Sequence, residues 1–82
     1  MNRVSITFYS YFKDLAGCER TTEMMPDGSK ASDLLAKLGQ RYPRLAAIEK
    51  SALLAVGVEY QPRSYPLQDG DEVALFPPVQ GG

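Results

Sequence analysis

Asp69-Gly70-Asp71-Glu72-Val73-Ala74-Leu75-Phe76-Pro77-Pro78-Val79-Gln80-Gly81-Gly82 carries a turn, a strand and a tail in one unbroken run. A glycine between two acids is turn chemistry. Val73 and Leu75 then alternate with Glu72, Ala74 and Phe76, the period-two pattern of a strand with one buried face. Val73 and Leu75 therefore face a core, and Phe76 faces away from it. Pro77 holds Phe76 extended, and Pro77-Pro78 favours polyproline geometry, which makes a semi-rigid arm. Val79 and Gln80 can pair with a partner's groove. Gly81 and Gly82 lack side chains and form a tip thin enough for a narrow channel. The expected division is a folded domain over residues 1–76 and an extended tail over residues 77–82. A frayed chain end is the bland alternative. At a usage of about 7%, two closing glycines arise by chance in only about 0.5% of chains.

Working outward, residues 3–9 alternate as well, with Val4, Ile6 and Phe8 on one side and Ser5, Thr7 and Tyr9 on the other. Ser10 is the expected cap of a short helix running through Ala16, and Gly17 its closing residue. Residues 19–24 read as a Thr-rich strand, and Pro26-Asp27-Gly28 as a turn. Ser29, with Ser32 in competition, is the expected cap of the main helix. There Ala31, Leu34, Leu35, Leu38 and Tyr42 form one apolar stripe. Pro43 ends that helix. Gly39 inside it costs about 1 kcal/mol relative to Ala. Residues 44–51 read as a short helical turn, residues 53–56 as a buried strand, and Gly57 as a turn. Residues 60–63 read as an edge strand that tolerates Pro62. The order is β-α-β-α-β-β-β. One sheet with a helix across one face is the simplest way to bury these stripes. The well-patterned first and last strands are expected at its centre. If they are adjacent, Tyr9 and Phe76 share the open face, and Tyr60 can join them in an exposed patch of the kind that marks an interface.

Composition excludes several function classes. The chain has 82 residues, a net charge of −1, one cysteine and no histidine. That length makes one domain, which buries about 60–65% of its unfolded surface and leaves little room for an internal active-site cavity. The charges are interspersed, so no basic stripe for nucleic acid is present. Lys37, Arg41, Arg44 and Lys50 read as a solvated helix face. Cys18 has no partner for a disulfide, which fits a reducing compartment. A Cys/His zinc site and a Ser-His or Cys-His catalytic pair are both impossible. Asp69, Asp71 and Glu72 lack the further ligands of a calcium loop and read as a solvated turn. With no signal-like segment and no apolar run near the ~20 residues of a membrane span, the expected location is cytoplasmic.

The whole chain resembles the small sulfur-carrier subunits of molybdopterin synthase, a β-grasp, ubiquitin-like family. Four segments carry the resemblance: residues 8–17, residues 34–38, residues 53–57 with 66–67 and 69–73, and the ending from Ala74 to Gly82. The Asp-Gly-Asp-Glu-Val-Ala-x-Phe-Pro-Pro-Val-x-Gly-Gly pattern is far more restrictive than Gly-Gly alone. Two positions depart from the family pattern. Gly57 stands where members often carry Asn, and Lys30 stands at the helix cap, with Ser29 as the substitute. The resemblance implies an α+β fold, a mixed sheet of four to five strands against one main helix and a short one, with a flexible tail.

It also implies a chemistry. A carboxylate is a poor electrophile, so the Gly82 terminus would be adenylated with ATP by an E1-like adenylyltransferase. A sulfur donor protein would convert it to a thiocarboxylate. The large catalytic subunit of the synthase would then receive the sulfur for cyclic pyranopterin monophosphate, where two deliveries build the dithiolene. The implied assembly is a heterotetramer of two small and two large subunits. Gly82 and Gly81 are the implied reacting tip. Tyr9, Tyr60, Phe76, Pro77, Pro78, Val79 and Gln80 are the implied partner contacts. No cofactor or metal is expected on this chain, since the catalytic bases and phosphate contacts must come from a partner. Three alternatives stay open: a sulfur carrier of thiamine or cysteine synthesis, a ubiquitin-like protein modifier, and an interaction module with an incidental Gly-Gly end.

Overall fold

Val4, Ile6, Phe8, Val73 and Leu75 must all leave water on the same side, and two adjacent central strands let them do so together. In the computed structural model, which describes residues 1–47 and 51–77, the elements are β1 (Asn2–Phe8), α1 (Phe12–Ala16), β2 (Arg20–Met25), α2 (Ala31–Arg41), α3 (Pro43–Ala46), β3 (Leu53–Val56), β4 (Glu59–Tyr60) and β5 (Glu72–Phe76). The sheet order is β2-β1-β5-β3-β4. β1 and β5 pair in parallel with Phe8 opposite Leu75, and the other pairings are antiparallel. The strands expected at the centre are there. This is the β-grasp arrangement, a mixed five-stranded sheet with its helices on one face.

α2 supplies the other half of the core. Ala31, Leu34, Leu35 and Leu38 are buried with Val4, Ile6, Phe8, Val73 and Leu75, and Phe12 and Leu45 close the ends. Tyr42 meets the Phe8 ring edge-on at 5.8 Å. Gly39 is buried on α2, so its position faces the protein interior.

Several local expectations shift. The N-cap of α1 is Tyr11, not Ser10. Ser10 instead sits at φ 57, the left-handed region that turns the chain from β1 into the helix. Gly17 closes α1 as expected, at φ 77, its N–H donating to the Lys13 carbonyl at 2.9 Å. β2 lies one residue later than the expected span of residues 19–24. Its inward set is Glu23 and Met25, and a carboxylate in the core-facing register hides the period.

The N-cap of α2 is Lys30, not Ser29. The Ser29 hydroxyl donates to the Pro26 carbonyl at 2.6 Å and so belongs to the preceding turn. A lysine cannot accept the helix N–H groups, so the loop does. The Ala31 N–H donates to the Tyr65 carbonyl and the Ser32 N–H to the Arg63 carbonyl, both at 2.9 Å. The Asp33 carboxylate accepts the Lys30 N–H at 2.8 Å.

The helical turn expected over residues 44–51 starts at Pro43 and is four residues long, with residues 48–50 outside the described set. The strand over residues 53–56 is buried at its middle residues, Leu54 and Ala55, and half-buried at its ends. Leu54 belongs to the core and Val56 packs against it, while half-buried Leu53 lies opposite Phe76 on the other face. The edge strand is Glu59–Tyr60, not 60–63. It is set by a two-residue turn that begins with Gly57 at φ 63. A Cβ there would touch nothing within 4 Å, so its cost is purely conformational. Gly57→Ala is expected to lower the unfolding free energy by about 1 kcal/mol in urea titrations.

The acidic turn is structural. The Arg3 N–H donates to Asp69 Oδ1 at 2.8 Å, and the Gln68 N–H to Asp71 Oδ2 at 2.8 Å. The Tyr65 hydroxyl donates to Asp71 at 3.3 Å. Burial first, then the Asp71 charge, push the Tyr65 phenol above its usual value. Tyr65 therefore stays a neutral donor across the physiological range.

Candidate functional site

Three strands place three aromatic rings at one end of the open sheet face. Phe8 opposite Leu75 puts the next residue of each chain, Tyr9 and Phe76, side by side on the other face. Their rings stack at 4.8 Å with an interplanar angle of 15°. Tyr60, opposite Ala55 on β3, brings its ring to 6.1 Å from Phe76. The Tyr9 N–H donates to the Leu75 carbonyl at 3.1 Å, which extends the ladder one residue past the end of β1. Tyr9 remains 46% exposed and Tyr60 69% exposed, while Phe76 between them is half-buried.

The expected patch is therefore formed, and it sits at the residue where the chain leaves the sheet. Pro77 follows directly and is half-buried. Pro78, Val79, Gln80, Gly81 and Gly82 lie outside the described residues. Leu53, opposite Phe76, extends the apolar ground of the platform. Reading residues 53–56 as wholly buried concealed it, and strict alternation with Leu54 and Val56 inside would have revealed it. Val58, 99% exposed at the tip of the β3–β4 turn, is a further apolar side chain at the sheet's edge beyond Tyr60.

The rest of the face offers recognition rather than catalysis. Beside Tyr9 lies a depression of about 200 Å³ bordered by Thr7, Arg20, Glu72 and Ala74. That is smaller than the roughly 300 Å³ at which ligand clefts begin. No group of three or more metal-ligating side chains occurs among the described residues. Cys18 is half-buried, its thiol 3.6 Å from the Tyr42 hydroxyl on the helical side, away from the platform. No helix among the described residues is long and apolar enough to cross a membrane.

The chain and its fold have counterparts among known proteins. A molybdopterin synthase sulfur carrier subunit from Chlamydomonas reinhardtii is 33% identical over 98% of this chain and 99% of its own length. The solved structure of a putative molybdopterin converting factor subunit 1 from Pyrococcus furiosus superposes with a TM-score of 0.88. It is 25% identical and covers 96% of this chain and 100% of that one. A subunit in a Helicobacter pylori complex of subunits 1 and 2 of molybdopterin-converting factor superposes at 0.70, with 26% identity, covering 98% of this chain and 99% of that one. The model of the ThiS family matches residues 6–82, from the first core strand through the Gly-Gly end. The chain belongs to the ThiS family.

Proposed function

We propose that this chain is the sulfur carrier of a molybdopterin synthase. The observation that carries the reading is the near full-length similarity to relatives of that name, in a chain that places an aromatic platform directly at the root of a Gly-Gly tail. The Gly82 carboxylate attacks the α-phosphorus of ATP on an E1-like adenylyltransferase, and pyrophosphate leaves. Sulfide-level sulfur delivered by a donor protein then attacks the acyl carbon and AMP leaves. The resulting thiocarboxylate passes into the large subunit and gives its sulfur to cyclic pyranopterin monophosphate; the acyl C–S bond breaks and water supplies the oxygen that restores the Gly82 carboxylate.

The division of labour follows from what each partner holds. This chain has no histidine, and its single cysteine, Cys18, lies on the helical side, away from the platform. Acid–base groups, phosphate contacts and exclusion of water belong to the partners. ATP and sulfur are substrates there, and the setting is cytoplasmic. The large-subunit partner has support in the subunit 1–subunit 2 complex from Helicobacter pylori. The two-plus-two assembly is part of the same proposal.

The deciding experiment is the intact mass of the chain after incubation with ATP, the activating enzyme and a sulfur donor. The reading requires an increase equal to the replacement of one oxygen by sulfur, located at Gly82. An unchanged mass refutes sulfur carriage, and a lysine-linked conjugate in its place supports a protein modifier.

Docking is tested separately. Phe76→Glu removes a ring stacked on Tyr9 and places a charge at the centre of the platform. It is expected to weaken binding to the large subunit by about 10- to 100-fold in calorimetric titration. Loss of the ring stack costs about 1 kcal/mol of stability. Unchanged affinity would remove the platform from the interface.

A further inference from the structure

β2 is an outermost strand of the sheet, and such a strand offers unpaired N–H and C=O groups to any other strand. Which groups face outward follows from one bond. The Phe8 N–H donates to the Glu19 carbonyl at 2.8 Å. Pairing alternates along an antiparallel ladder. Thr21, Glu23 and Met25 therefore turn their backbone groups toward β1, and Arg20, Thr22 and Met24 turn theirs outward, in agreement with the register Ile6–Thr21 and Val4–Glu23.

Two of those outward carbonyls are already occupied by side chains of α2. Lys37 Nζ donates to the Met24 carbonyl at 3.0 Å, and Arg41 Nη1 donates to the Thr22 carbonyl at 3.2 Å. The spacings match. One helical turn, from Lys37 to Arg41, advances about 6 Å, and two strand residues, from Thr22 to Met24, advance about 6.8 Å. Glu23 lies between them with its side chain turned toward the helix. That carboxylate is 8% exposed, with Oε1 3.5 Å from Lys37 and Oε2 2.6 Å from Arg41. The hydrogen bond to Glu23 raises the Arg41 pKa, so the guanidinium stays charged. The basic face is thus fastened to the sheet edge at Lys37 and Arg41 and is not simply solvated.

We propose that Lys37 and Arg41, anchored by Glu23, close the β2 edge to strand addition, and that the partner they exclude is β2 of a second copy of this chain. The strand is self-complementary. Antiparallel pairing about a two-fold axis centred on Thr22 sets Thr22 against Thr22, Arg20 against Met24 and Thr21 against Glu23. No like charges meet, and a Thr–Thr pair is favourable across strands. Such an isologous pair would form a continuous ten-stranded sheet from two five-stranded ones. The guard keeps the chain single, with its aromatic platform facing solvent.

The test uses the full chain with Lys37→Ala and Arg41→Ala together, since alanine preserves helix propensity. Sedimentation is followed over a concentration series, and amide exchange of Thr22 and Met24 is read by NMR. Self-association at least about tenfold tighter than in the wild type is expected, with both amides slowed. Adding Thr22→Pro removes the central outward N–H without touching the ladder to β1 and should restore the monomer. A folded double variant that sediments like the wild type at every concentration overturns the proposal. So does association with Thr22 and Met24 exchanging as fast as in the wild type. If the double variant does not fold, Lys37→Ala alone leaves the Arg41–Glu23 pair intact and is read by the same two outcomes.

Discussion

Removing Gly82 is expected to reduce sulfur transfer by at least roughly a thousandfold, because one residue of lost reach is several times a misplacement that already costs about a hundredfold. The truncated chain still ends in a glycine carboxylate, now that of Gly81, so terminal chemistry is retained and only reach is lost. One extended residue spans about 3.3–3.6 Å. Even a 1 Å misplacement of a reacting group can cost about a hundredfold. The fold should not change, because the buried side chains of the last strand are Val73 and Leu75, well before the tip. The measurement is single-turnover transfer from preformed thiocarboxylate, alongside urea unfolding of the same protein. A truncated chain that transfers sulfur at the normal rate would refute the role given to Gly82. A chain that loses both activity and stability would refute the separation of tail from domain.

Phe8→Ala is expected to lose about 3–5 kcal/mol of stability. Phe8 is 1% exposed, lies on the central strand and holds the edge of the Tyr42 ring at 5.8 Å. Truncation opens a cavity between the sheet and the helical layer and removes that aromatic contact. Domains of this size are stable by only about 4–12 kcal/mol, so the variant should be largely unfolded under mild denaturant. Tyr9→Ala, one residue later, points to the open face and gives up a surface stack worth about 1 kcal/mol, yet it should weaken docking as Phe76→Glu does. Urea midpoints compared with partner affinities separate the two positions. Equal stability losses at residues 8 and 9 would mean that the two faces of β1 are not distinct.

The candidate site was partly legible from residues alone. Alternation in β1 and β5 assigned Tyr9 and Phe76 to the face opposite the core, because side-chain direction in a strand follows from parity. Tyr60 was harder to place. Its strand is two residues long, too short for a pattern, and only the turn at Gly57 sets its register. Ser10 and Ser29 have good capping chemistry, but each took another task, a left-handed turn and a bond to Pro26. Propensity ranks a residue's options without knowing which neighbours compete for it. Lys37 and Arg41 have the composition of a solvated face. Their role at the β2 edge depends on a strand more than ten residues away, which no local window contains.

By itself the sequence determined the faces of β1 and β5, the apolar stripe of α2, the lack of residues for a Cys/His zinc site or histidine chemistry, and the family resemblance through its ending. These depend on local periodicity and on residue types, which act over a few positions. The tertiary structure alone decided that β1 and β5 lie side by side, that Phe76 stacks on Tyr9 and meets Tyr60, and that α2 closes the β2 edge. Those are contacts between residues far apart in the chain. They exist because burying one face of the sheet under α2 fixes the register of every strand, and with it what meets on the opposite face.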